Sequence, residues 1–160
     1  MRMPAVALLL AVTVPLSACS APVQPDVLTR SNSVAPEQTL QSTLPLSGEF
    51  VSQGAETRGT VTIAQTSATE FTITLTDFST GEGADLRPWL SSGVLTKGPD
   101  GAFWVDSDSQ LELPGNIDPS GPDQSFVFPL YALDSLEPRS FTVYNYADRI
   151  AFGSASLEER

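Results

Sequence analysis

Residues 71–91 read FTITLTDFSTGEGADLRPWLS, and this stretch decides the fold. Phe71, Ile73 and Leu75 are apolar, while Thr72, Thr74 and Thr76 between them are polar. A period of two sends one set of side chains into a core and the other toward solvent, the pattern of a half-buried strand. The chain then breaks at Ser79-Thr80-Gly81-Glu82-Gly83, which reads as a turn, and resumes as the short apolar run Asp85-Leu86-Arg87-Pro88-Trp89-Leu90. Strand, Gly-rich turn and second run together are a sheet signature, and the rest of the domain is expected to pack on this pair. No helix follows Gly81-x-Gly83 to hold a phosphate, so those glycines read as a hairpin feature.

The same pattern continues on both sides. Gly48-Glu49-Phe50-Val51 reads as a first strand. Thr60-Val61-Thr62-Ile63-Ala64 alternates in phase with Phe71–Thr76 across a short polar link, which predicts an antiparallel hairpin. Downstream, Gly98-Pro99-Asp100-Gly101 is a turn signal, and Phe103-Trp104-Val105 reads either as a small buried strand or as a packed loop. Residues 106–123, rich in Asp, Pro and Gly, read as a long excursion from the sheet. Ser125–Leu130 places Phe126, Phe128 and Leu130 on one face, with Pro129 marking a strand end or edge. The runs 140–146 and 149–157 are rich in aromatic and β-branched residues and complete the set. With no convincing helix, the expected fold is all-β: an antiparallel β-sandwich or partly closed barrel of about eight short strands.

Composition narrows the chemistry. The 160 residues carry a formal charge of −11, with Lys97 as the only lysine and seven arginines. Nucleic acid is therefore not an expected partner, because phosphates need cations to neutralise them. The sequence has no His, so Ser-His-Asp triads, Cys-His dyads and His-bound zinc, copper or haem are excluded. A single Cys, Cys19, excludes an internal disulfide or thiolate cluster.

That Cys belongs to an address. Arg2 supplies a positive start, and Ala5–Leu16 is an apolar run shorter than the roughly 20 residues a spanning helix needs. Leu16-Ser17-Ala18-Cys19 resembles the bacterial lipobox, in which the Cys is lipidated and becomes the first residue of the mature chain. Acyl chains on that one residue would anchor a soluble domain durably. Residues 1–18 are read as the signal peptide. Residues 19–45 are read as the lipidated Cys and a disordered, Pro- and Ser-containing tether, with a short helix over Glu37–Leu44 as the alternative. Residues 46–157 are read as the folded domain. The expected location is the extracytoplasmic side of the membrane, and removal of Arg2 with the leader takes the formal charge from −11 to −12.

Several pieces in register carry a resemblance: Gly48-x-Phe50, Arg58-Gly59-Thr60-Val61-Thr62-Ile63, Leu75-Thr76-Asp77-Phe78-Ser79-Thr80, Ala84-Asp85-Leu86-x-x-x-Leu90-Ser91 and Ala151-Phe152-Gly153-Ser154-Ala155-x-Leu157. Together they resemble the DM-thirteen family of small extracytoplasmic domains, known from DOMON-associated proteins and bacterial lipoproteins. The resemblance implies a β-sandwich outside the cytoplasm with a proposed part in electron transfer. In the family that part leans on a Cys in the penultimate strand. Counted back from Phe152-Gly153, Asn145 stands in its place, and an amide has no redox chemistry.

Other candidate chemistry is sparse. Asp77 and Asp85 flank the central turn and would form a hydrolytic or calcium-binding pair if they met. The plainer reading has Asp77 capping the turn and Asp85 paired with Arg87 or Arg58. Asp106, Asp108 and Glu112 offer oxygen ligands without the spacing of a calcium loop and read as a solvated acidic loop. Trp89, Trp104, Tyr131, Tyr144 and Tyr146 would suit a binding surface, although in a small sandwich such residues more often fill the core. The candidate functional surface is Asp77, Asp85, Trp89, Tyr144 and Asn145, with Cys19 as the lipid-attachment residue. We expect no enzyme, no cofactor and no metal, but a membrane-anchored binding or accessory module with an unidentified envelope ligand or protein partner. An electron-transfer domain and a carboxylate-dependent hydrolase are the alternatives.

Overall fold

The computed structural model describes residues 44–107 and 109–160. The leader, Cys19, almost all of the tether and Asp108 lie outside the described residues.

The strands run in chain order as β1 Leu46–Ser52, β2 Arg58–Gln65, β3 Glu70–Ser79, β4 Leu86–Ser91, β5 Leu95–Lys97, β6 Phe103–Val105, β7 Gln110–Glu112, β8 Gln124–Pro129, β9 Ser140–Asn145, β10 Ile150–Ser156 and β11 Glu158–Glu159. Helical structure among the described residues is confined to a 3₁₀ turn at Leu130–Leu133. Eight strands form one curled antiparallel sheet, ordered β7-β4-β9-β10-β1-β2-β3-β8, and the curl makes a half-barrel. The pair β11 and β1 extends it, while β5 and β6 form a separate two-stranded ribbon.

The two halves of the half-barrel meet at β1. Its first half pairs with β2, from Leu46 opposite Ile63 to Glu49 opposite Thr60. Its second half pairs with β10, from Phe50 opposite Ala155 to Ser52 opposite Gly153. Phe50 sits where the partner changes, and its ring meets Phe78 of β3 at 5.3 Å and Phe141 of β9 at 5.9 Å, both edge to face. One aromatic cluster thus ties the two halves together. The alternating residues predicted for the core are in it: Val61, Ile63, Phe71, Ile73 and Leu75 are fully buried, as are Leu90, Phe141 and Val143. Each such side chain contributes roughly 1.5–3 kcal/mol by leaving water.

Two bulges change the phase of that alternation. Arg58 pairs with Ser79 and Thr60 with Thr76, so Gly59 alone faces Asp77 and Phe78. Gly59 (φ 109°) and Asp77 (φ 51°) both take left-handed backbone there, and the extra residue turns Phe78 into the core. In β10 the register slips between Ala151 and Gly153. Phe152 enters the core, and Ala151 and Ser154 come to line the same outer cavity although they are three residues apart.

The predicted hairpin β2–β3 is present, as is the turn over Gly98–Gly101, which joins β5 to β6. Pro129 ends β8, an edge strand. The Gly81–Gly83 segment is not a hairpin. β3 pairs with β2 and β8, whereas β4 pairs with β7 and β9, so this link crosses between the two halves. Its glycines permit close packing: a Cβ at Gly83 would lie 2.9 Å from both Asn145 Nδ2 and a Phe152 ring carbon. Nor is the 106–123 segment wholly an excursion. β7 pairs with β4, and beyond it the Leu113 and Ile117 amides donate to the carbonyls of Pro88 and Leu86 while their side chains enter the core.

Candidate functional site

The outward positions of β4 and β9 carry what the core does not use. With Leu86, Pro88 and Leu90 turned inward, β4 sends Arg87 and Trp89 outward; β9 buries Phe141 and Val143 and sends Thr142 and Tyr144 outward. Trp89 stacks on Tyr144 at 4.4 Å between centroids with 26° between planes, and Tyr144 meets Tyr146 edge to face at 6.4 Å. The Arg87 guanidinium lies over the Tyr146 ring, 4.3 Å from its centroid. Stacked and edge-on rings of this kind add about 0.5–1.5 kcal/mol per pair beyond burial.

Arg87 joins the aromatic row to the acidic groups. Its Nε and one terminal nitrogen donate to the two Asp85 oxygens at 2.7 and 2.8 Å, and the other terminal nitrogen donates to Glu112. The paired hydrogen bonds from Arg87 hold the Asp85 carboxyl below its ordinary value, and in return push the guanidinium further above its own. Asp85 takes left-handed backbone (φ 62°), which Asp tolerates, and its carbonyl accepts from the Tyr146 amide at 3.0 Å. This extends the β4–β9 ladder one step beyond Leu86.

Beside Trp89 and Tyr144 the surface deepens into a cavity of about 450 Å³, roofed by Phe103 and Trp104 of the ribbon. Among the described residues, no ionisable acid or base other than the Tyr144 phenol lines it. A chain of hydrogen bonds fixes the roof: Thr142 Oγ1 and Ser154 Oγ lie 2.7 Å apart, Ser154 Oγ donates to Gln53 Oε1 at 2.8 Å, and Gln53 Nε2 donates to the Phe103 carbonyl at 2.9 Å. The Trp89 indole nitrogen is buried and has no hydrogen-bond partner among the described residues. A buried donor left unpaired costs about 1–3 kcal/mol.

The sequence-derived candidates divide accordingly. Trp89, Tyr144 and Asp85 share this outer face. Asn145, adjacent to Tyr144, points the other way and is fully buried. Its Oδ1 accepts from the Ala147 and Asp148 amides at 3.1 and 3.3 Å, and its Nδ2 donates to Asp148 Oδ2 at 2.8 Å. These bonds pin the loop between β9 and β10, so the amide serves as a turn brace. Asp77 sits in the β3 bulge, exposed, with no side-chain hydrogen bond among the described residues. It does not cap the turn as the sequence reading held, and no hydrogen bond links it to Asp85. Glu112 binds Arg87, and Asp106 is exposed. The expectation that the aromatics fill the core is corrected: Trp104, Tyr131 and Tyr146 are 43%, 73% and 47% exposed, and Trp89 and Tyr144 are half-buried. The bulky strand residues that do fill it are Phe and aliphatic ones. Gln53, Thr142 and Ser154 were not foreseen. The usable signal was parity, because positions 89, 144 and 146 are aromatic where an outward residue of a solvated strand is usually polar.

The domain is thus a half-barrel of antiparallel strands with an aromatic-lined cleft on its outer face. A family model described as "Electron transfer DM13" matches residues 49–157, and the chain belongs to that family. No curated protein and no solved structure matches it. Among the described residues no group of three or more His, Cys, Asp or Glu side chains is placed to hold a metal ion.

Proposed function

We propose that the chain is a membrane-tethered, extracytoplasmic accessory module of the electron-transfer family, and that it binds a ligand or partner without making or breaking bonds. The observation that carries this reading is the contrast between two sets of residues. The Trp89–Tyr144 face and its cavity form a concave, uncharged surface of the size small ligands occupy. The carboxylates that general acid–base chemistry would need are dispersed or already engaged, Asp85 and Glu112 by Arg87. The tether and the lipid at Cys19 would hold this face clear of the membrane while keeping it near other envelope components.

Extraction of the intact chain from the envelope of its own host, followed by mass spectrometry of the small molecules it retains, tests the reading. A molecule retained by the natural chain and lost from Trp104→Ala supports it. A chain that retains nothing, or that retains the same molecule in both forms, contradicts it.

A further inference from the structure

We infer that the β5–β6 ribbon is a flap over the outer face, opening as one local unit while the curled sheet stays folded, and that the Gln53 side chain is its latch. The inference concerns how that face is covered and does not depend on what the cavity binds.

Three observations carry it. The first is that two cavities undercut the ribbon. The cavity beside Trp89 and Tyr144 has Phe103, Trp104 and Val105 on its ribbon side. A second, of about 400 Å³, lies where Leu95 and Phe103 approach Ser47, Glu49 and Val51 of β1. Phe103 lines both, so its departure joins the two and leaves more of the Trp89–Tyr144 face open. Unfilled space on both sides forfeits the dispersion contacts that fix a packed side chain. Leu95, Phe103 and Val105 are only half-buried and Trp104 is exposed, so opening removes no residue from the buried core.

The second observation is how little ties the ribbon down. β5 and β6 pair with each other and with no strand of the main sheet. Among the described residues, one hydrogen bond joins them to the body of the domain away from their base, from Gln53 Nε2 to the Phe103 carbonyl at 2.9 Å. Gln53 is itself held in place. Its amide donates to the Phe152 carbonyl at 2.9 Å, and its Oε1 accepts from Ser154 Oγ at 2.8 Å. The ribbon is thus fastened to a fixed post by one bond, and a single side-chain bond that water can replace is weak.

The third observation sets the limits of the moving unit. At the base, the Ser92 amide donates to the Ser109 carbonyl at 3.1 Å and Ser140 Oγ donates to the Gly93 carbonyl at 2.8 Å. A Cβ at Gly93 would collide with the Asp106 carbonyl oxygen, so the two legs of the ribbon meet closely there. Beyond that base the ribbon holds three residue pairs, Leu95–Val105, Thr96–Trp104 and Lys97–Phe103. Two strands alone are marginal in water, so these pairs are lost together once the ribbon leaves the sheet.

Native-state amide hydrogen exchange of the intact, detergent-solubilised chain, followed by NMR at low urea concentrations, tests this. The bonded amides of the ribbon, Gly98 included, should exchange together at rates that low urea barely changes. The amides of β2 and β9 should exchange only through urea-sensitive global unfolding. Gln53→Ala should speed the ribbon amides about fivefold relative to those of β2 and β9. Gln53→Glu keeps the acceptor for Ser154 and removes the donor to Phe103, so it should speed them at least as much. Ribbon amides that exchange only together with the sheet, or that show no protection, overturn the flap. Ribbon rates unmoved by both substitutions, or raised equally with those of every other strand, overturn the latch.

Discussion

Asn145 shows how much one side chain does at the end of a strand. Its amide closes three hydrogen bonds in a buried setting, two of them to the backbone of the β9–β10 loop. Asn145→Ala removes the brace and strands the Ala147 and Asp148 amides. Stability should fall by about 1–3 kcal/mol, read from the urea midpoint. The neighbouring ion pair has a pH signature. Arg87 lowers the Asp85 carboxyl below its ordinary 3.8, so the tie is complete above that value and is lost as pH falls through the lower folded one. The stability gap between the natural chain and Asp85→Asn should therefore be constant near neutrality and close below pH 3.8. Thermal midpoints measured from pH 6 down to 2, in roughly unit steps, check it. The sequence already offered Arg87 as a partner for Asp85, because the two are outward neighbours two residues apart near a strand start. It could not offer the second partner, Glu112, which arrives with β7 from 25 residues away.

At the scale of the elements, alternation made most strands legible and bulges hid the rest. Phe71, Ile73 and Leu75 fixed the buried face of β3, but strict alternation would have placed Phe78 in water. The β2–β3 bulge puts it in the core because Gly59 accepts φ 109° opposite Asp77 and Phe78. A Cβ on Gly59 would stand 2.7 Å from the Thr76 carbonyl oxygen, so Gly59→Ala should cost about 1–3 kcal/mol and disturb the Phe50–Phe78 contact. Loss of near-ultraviolet dichroism from those rings would accompany the lower melting point. The crossing from β3 to β4 was misread as a hairpin for a related reason. Glycines signal either a positive-φ turn or a close approach, and local sequence does not separate the two. At Gly83 the requirement is the approach of Asn145 and Phe152, residues that come from the far end of the chain.

For the molecule as a whole, the all-β class followed from periodicity, while the order of strands depended on contacts no local pattern encodes. The partner switch within β1, between Glu49 and Phe50, leaves no mark in Leu46–Ser52 beyond an apolar residue at the start of each half, Leu46 and Phe50. The proposed binding face was half legible. Trp89 and Tyr144 stood out by type, but their stacking, the ribbon above them and the hydroxyl chain from Thr142 to Gln53 required the fold. The address at Cys19 is a separate proposal with its own readout: Cys19→Ser should move the protein from the membrane fraction to the soluble extracytoplasmic fraction, and unchanged fractionation would refute the anchor.

The proposed binding is confined to one region, the outer face of β4, β9 and β10 beside the ribbon. Amide chemical shifts of the isotope-labelled intact chain during titration with a small-molecule extract of its host envelope test that most directly. Perturbations should gather at Gln53, Trp89, Phe103–Val105, Tyr144 and Ala151–Ser154, with β2, β3 and β8 silent. Shifts centred on β2, β3 or β8, or no shifts at all, would contradict it.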